Sequence, residues 1–150
     1  MLSYEGIFLN EDMLKIIHSL EKDRLSLIND EIHCTFKYHP SEEEIFNEIV
    51  GSEFVVYLIG YANDGQNSGF EIELPAELKK YYINYDDEGK LKKPHITASL
   101  SENAKAYNTC KLNFIPLEKK IPITCKFGFW IKEADGNEYL TFEPYIQKKK

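Results

Sequence analysis

Arginine is almost missing from this chain: Arg24 is the only one in 150 residues, and the formal net charge is -7. Proteins that grip long nucleic acid present clustered lysine and arginine to many phosphates, so no long nucleic acid is expected as a partner. Cysteine is scarce too. Cys34, Cys110 and Cys125 are odd in number and show no C-x-x-C spacing, which argues against a disulfide framework or a zinc knuckle and for reduced, partly buried thiols. No apolar run approaches the roughly 20 residues that cross a bilayer. Met1 to Asn10 has no basic residue ahead of a long apolar stretch, so no signal peptide is expected. The chain reads as cytoplasmic, with no membrane and no obligate protein partner evident. It also lacks a low-complexity linker or a composition break, so residues 1–150 are expected to form one domain, with 148–150 a frayed tail.

Apolar residues make up 43% and aromatics 13%, enough for a normal buried core. The pattern predicts a strand over Tyr4 to Leu9, then a helix from Glu11 to Leu20 capped by Asn10. Glu31 to Tyr38 reads as a second strand ended by His39-Pro40. Ser41 with Glu44 forms a capping box for a helix running to Val50-Gly51. Strands are predicted over Glu53 to Ile59 and Ser68 to Leu74, joined by a loop rich in Asn, Asp and Gly. A short helix over Ala76 to Tyr82 and a strand over Pro94 to Leu100 follow. Further strands are expected at Lys111 to Ile115, Ile121 to Ile131 and Glu138 to Phe142. Short connections between strands predict largely antiparallel pairing with helices outside, an α+β fold.

Two strands carry the same polar signature. Alternate residues of a strand share a face, so His33, Thr35 and Lys37 lie on one side and Ile32, Cys34 and Phe36 on the other. His95, Thr97 and Ser99 likewise share a side, opposite Pro94, Ile96 and Ala98. Each strand thus offers an apolar face to a core and a polar face to a cleft. Two imidazoles and two threonine hydroxyls converging on one point suit phosphodiester cleavage. One ring, neutral, accepts a proton and the other, charged, donates one, while the hydroxyls bond the non-bridging oxygens. A zinc site is the rival chemistry for paired histidines, but threonine is a poor ligand and no H-x-E or C-x-x-C partner is present. No metal or other cofactor is therefore expected.

The stretches Ile32-His-Cys-Thr-Phe36 and Pro94-His-Ile-Thr-Ala-Ser-Leu100 resemble the 2H phosphoesterase superfamily, which is defined by two H-x-T/S motifs. The resemblance implies a bilobal α+β fold with two pseudo-symmetric lobes: two mainly antiparallel sheets with outer helices around a central cleft. It implies metal-independent cleavage of a cyclic nucleotide or cyclic oligonucleotide, with His33, Thr35, His95 and Thr97 catalytic. Many members instead process 2′,3′-cyclic phosphates or 2′-5′ linkages at short RNA ends. One phage branch, the anti-CBASS nucleases, destroys cyclic oligonucleotide signals of bacterial immunity, which implies a host-cytoplasmic role if this chain follows it. The shortness of the chain and the Tyr4 strand preceding the first motif are similar to that branch.

Around the motifs, Tyr4, Lys37, Ser99 and Trp130 are candidates for substrate contact. Lys37 would add charge from the His33 face, and Ser99 extends the His95 face. Tyr4 and Trp130 suit base stacking, though each has an alternative reading as packing. His18 reads as a surface or packing residue of the first helix, and His39 as a border to the next element. A non-catalytic nucleotide-binding protein is the alternative of another class.

Overall fold

The computed structural model describes residues 1–29 and 31–146, so the 148–150 tail lies outside the described residues. Strand β1 (Leu2–Phe8) leads into helix α1 (Glu11–Leu20), where the Asn10 side chain accepts from the Met13 N–H at 3.0 Å. That contact satisfies one of the orphan donors of the first turn. Next come β2 (Leu27–Ile28), β3 (His33–Tyr38), β4 (Glu53–Asn63), β5 (Asn67–Glu73), the short helix α2 (Ala76–Lys79), β6 (His95–Leu100), β7 (Ile115–Lys132) and β8 (Glu138–Thr141). Among the described residues no helix is long and apolar enough to cross a membrane.

The strands form one antiparallel sheet in the order β2-β6-β5-β4-β7-β1-β3, with β8 paired to β7. The antiparallel α+β class is as expected, but the arrangement in two lobes and two sheets is not. The reason lies in β7, whose 18 residues serve two sets of partners. Its first part pairs with β4, from Tyr61↔Ile115 to Glu53↔Lys126, and its last part pairs with β1, from Phe8↔Lys126 to Leu2↔Ile131. One uninterrupted strand therefore joins what the resemblance implied as two separate sheets. Pro116 and Pro122 sit inside β7 without ending it. Among the described residues β4 is the only strand paired there, so one flank is open and a missing N–H is tolerated.

The helical content is smaller than the sequence patterns suggested. The capping box at Ser41 and Glu44 is present, but it opens only a 3-10 turn over Glu42–Glu44. Ile45 is already extended, and the next N–H, that of Phe46, donates to the buried Glu5 carboxylate at 3.2 Å. The residues Lys111 to Ile115 are likewise not a separate strand; Ala106–Lys111 is a 3-10 turn and Ile115 begins β7. The core gathers Ile7, Ile17, Ile32, Phe36, Val56, Leu58, Phe70, Ile96, Ile123, Phe127 and Phe129. Ile32, Cys34 and Phe36 of the first motif, and Ile96 and Ala98 of the second, are buried in it. Their alternating neighbours are thereby turned the other way.

Candidate active site

Strands β3 and β6 stand far apart in the strand order, yet they meet in space. Both send side chains into the same core, Cys34 and Phe36 from β3 and Ile96 and Ala98 from β6. A small cleft of about 50 Å³ opens on the polar side of both strands, lined by His33, Thr35, His95 and Thr97 together with Asn29, Asn84, Lys92, Tyr38 and Tyr107. The four motif side chains are thus gathered at one place. Cys34 itself faces the core, and burial pushes its thiol up to about 12, so it stays a protonated packing group.

The imidazoles are held differently. His95 Nδ1 lies 2.8 Å from the Lys93 carbonyl oxygen. A carbonyl only accepts, so Nδ1 carries the hydrogen and Nε2 of the neutral ring keeps its lone pair. Burial lowers the pKa of this ring, and the charges of Lys92 and His33 lower it further, against the opposing pull of the Lys93 carbonyl. His33 is only half-buried, with Nδ1 3.3 Å from Glu31 Oε1. Its ring packs on Tyr4 at 4.7 Å between centroids and on Phe8 at 5.4 Å. His33 thus has a carboxylate beside it, whereas the surroundings of His95 favour the neutral ring.

Two features support the motif strands in the same way. Asn84 Nδ2 donates to the Thr35 carbonyl at 3.1 Å, and Asn29 Nδ2 donates to the Thr97 carbonyl at 2.9 Å. Gly6 of β1 stands across from Thr35 and Gly69 of β5 across from Thr97, each just after a shift in strand register. A Cβ at Gly6 would lie 2.1 Å from the Cys34 carbonyl oxygen, and one at Gly69 would lie 2.3 Å from that of Ile96. Each motif is thus pressed by a glycine on one side and tied by an asparagine amide at its threonine. The asparagine tying each motif precedes the other motif in the chain.

The remaining candidates are placed less directly. Lys37 is not among the cleft-lining residues; its Nζ lies 3.7 Å from Glu44. Lys92 is the cation at the cleft, with Nζ 5.7 Å from the centre of the Tyr38 ring. Ser99 is buried behind the cleft, donating to Glu21 Oε1 at 2.7 Å and lying 2.6 Å from the Ser68 hydroxyl. Tyr4 and Trp130 stack at 5.9 Å with an 11° tilt, and Trp130 Nε1 donates to Glu138 Oε1. They form an aromatic row leading away from His33 rather than a wall of the cleft itself. Sequence reading missed Asn29, Asn84, Lys92, Tyr38 and Tyr107. A signal existed for the first two, since the dipeptide Ile-Asn occurs at Ile28-Asn29 and again at Ile83-Asn84. Among the described residues, no group of three or more His, Cys, Asp or Glu side chains gathers to hold a metal ion. Compared with protein-family models and with curated proteins, the chain matches none.

Proposed function

We propose that this protein is a phosphodiesterase of the 2H type, cleaving a cyclic nucleotide or cyclic oligonucleotide by two-histidine acid-base catalysis without a metal. The observation that carries the reading is the single cleft lined by both His-x-Thr pairs, drawn from strands distant in the chain. His95, with its lowered pKa and free Nε2, is the base that takes a proton from water or a substrate hydroxyl. His33, with Glu31 beside it, is the acid that protonates the departing oxygen. The Thr35 and Thr97 hydroxyls bond the non-bridging oxygens, and Lys92 offsets their charge.

A small substrate fits the electrostatics. With a net charge of -7 and one arginine, the chain has little with which to track many phosphates. The cleft is of phosphate scale, so bases must rest on its surroundings. Tyr38 and Tyr107, both exposed at its rim, and the Tyr4–Trp130 row offer aromatic faces for them. In the reading nearest the phage branch, the biological role is removal of nucleotide alarm signals of bacterial immunity.

The test is a panel of cyclic mono-, di- and trinucleotides and an RNA with a 2′,3′-cyclic end, incubated with the protein in EDTA. Cleavage of the cyclic nucleotides, lost in His33→Ala and His95→Ala, supports the proposal. Cleavage of the RNA end alone favours an RNA-end phosphodiesterase. Ligand recovered intact from the denatured protein favours a nucleotide sponge. Activity that vanishes in EDTA and returns with zinc refutes the mechanism.

A further inference from the structure

We propose that Thr109, outside both motifs, is a positioning residue for Thr97, holding its hydroxyl where it can serve a bound phosphate. The inference rests on the phosphodiesterase reading above. A threonine rotated about χ1 presents either Oγ1 or a methyl group to a given direction, and strand backbone alone does not select between them. At Thr97 the selection is made by a hydrogen bond: its Oγ1 donates to Thr109 Oγ1 at 2.8 Å.

Thr109 is itself pinned. It is fully buried in the 3-10 turn Ala106–Lys111, and Asn67 Nδ2 donates to its Oγ1 at 3.1 Å. The same nitrogen donates to the Lys105 carbonyl at 2.8 Å, which fixes which end of the Asn67 amide faces Thr109. An independent observation concerns space. Gly69 stands across from Thr97 in register, and a Cβ there would lie 2.6 Å from the Thr109 methyl carbon Cγ2. The chain omits a side chain at the place where Thr109 must approach. Thr35 is different: among the described residues its hydroxyl makes no side-chain hydrogen bond, so this support belongs to the His95 half of the cleft.

In the free protein the Thr97 proton points at Thr109. A phosphate oxygen is the stronger acceptor because it is charged. On phosphate binding, the Thr97 proton turns toward the ligand and the Thr109 hydroxyl turns its own proton onto Thr97 Oγ1. Only two hydroxyl hydrogens rotate, and the heavy atoms keep their places. Asn67 continues to occupy Thr109 Oγ1 as a donor, so Thr109 has its proton to give.

Thr109→Val keeps the shape and deletes the hydroxyl, whereas Thr109→Ser keeps the hydroxyl. Thr109→Val should lower kcat/KM by about 10- to 100-fold, the range for one hydrogen bond to a charged group. Thr109→Ser should recover most of that loss. In a double-mutant cycle, Thr97→Val with Thr109→Val should be no worse than Thr97→Val alone, because the second change acts only through the first. Losses that multiply overturn the proposal. A binding readout stands apart from turnover. Affinity for inorganic phosphate, measured by titration calorimetry, should weaken in Thr109→Val and recover in Thr109→Ser; equal affinities in all variants overturn the inference. If the wild type cleaves no phosphodiester while phosphate affinity still follows the Thr109 hydroxyl, the enzymatic reading falls and the positioning role stands.

Discussion

Replacing Glu5 by glutamine should stabilise this protein at neutral pH and leave it almost unchanged in acid. Glu5 is fully buried in β1; Oε1 accepts from the Phe46 N–H, while Oε2 has no partner. Burial pushes its carboxyl up from an ordinary 4.5 to about 8, helped by Glu44 and Glu48 and opposed by the Phe46 N–H and Lys37. The folded state therefore keeps a proton that the unfolded chain gives up. Below the unfolded value both states are protonated and the fold has its full stability. Between there and about 8 the unfolded chain ionises first, so stability falls as pH rises, and above that the fall levels off. By linkage the loss between pH 4 and pH 7 is roughly 3 kcal/mol. Glutamine has the carboxylic acid's shape and does not titrate, so Glu5→Gln should remove that loss and raise Tm at pH 7 by about 5–10 °C. Urea and thermal unfolding from pH 4.5 to 9, wild type against Glu5→Gln, measure it. Parallel stability profiles would refute the account of a neutral buried carboxyl.

Three further outcomes follow from the cleft and its supports. His33→Ala and His95→Ala should each cost about 10²- to 10⁴-fold in kcat with the fold intact by circular dichroism, the usual worth of one acid or base. The acid limb of the kcat/KM profile should have its midpoint below the ordinary histidine value of 6.5, because His95 must be neutral to act and its pKa is lowered; a limb centred above 7 would contradict the assignment of the base. Gly69→Ala should part β5 from β6, since its Cβ meets the Ile96 carbonyl oxygen at 2.3 Å; a loss of about 1–3 kcal/mol in urea unfolding is expected from overpacking.

Local chemistry was readable in the sequence wherever neighbours along the chain decide the outcome. The Asn10 cap needs only the residues of one helical turn, and the in-out alternation of Ile32 to Phe36 and Pro94 to Leu100 needs only a strand. Those patterns also led to all four motif residues that the cleft gathers. What escaped depends on partners far away in sequence. Lys37 has the right face of β3 for the cleft but is drawn to Glu44, while Lys92, in a loop with no periodicity, lines the cleft instead. Ser99 has the right face of β6 but is covered by the Glu21 side chain. Local pattern predicts no strand between Ile115 and Ile121, yet β7 runs through that stretch and through Pro116; a proline's cost depends on whether the strand's other flank is paired, and no local pattern records that. Where the helix expected after Ser41 would continue, Ile45 is extended and the Phe46 N–H donates instead to Glu5, 41 residues before Phe46.

The crossed asparagines bear on how this protein is made. Asn29 belongs to the early part of the chain and fastens the late motif, whereas Asn84 belongs to the later part and fastens the early one. A ribosome that has released only the first eighty residues has produced His33 and Thr35 without their clasp. The late motif, in turn, cannot be secured without a segment synthesised long before it. Neither motif strand is fastened from within its own stretch of chain, so a product ending before Asn84 would leave the Thr35 carbonyl without this donor.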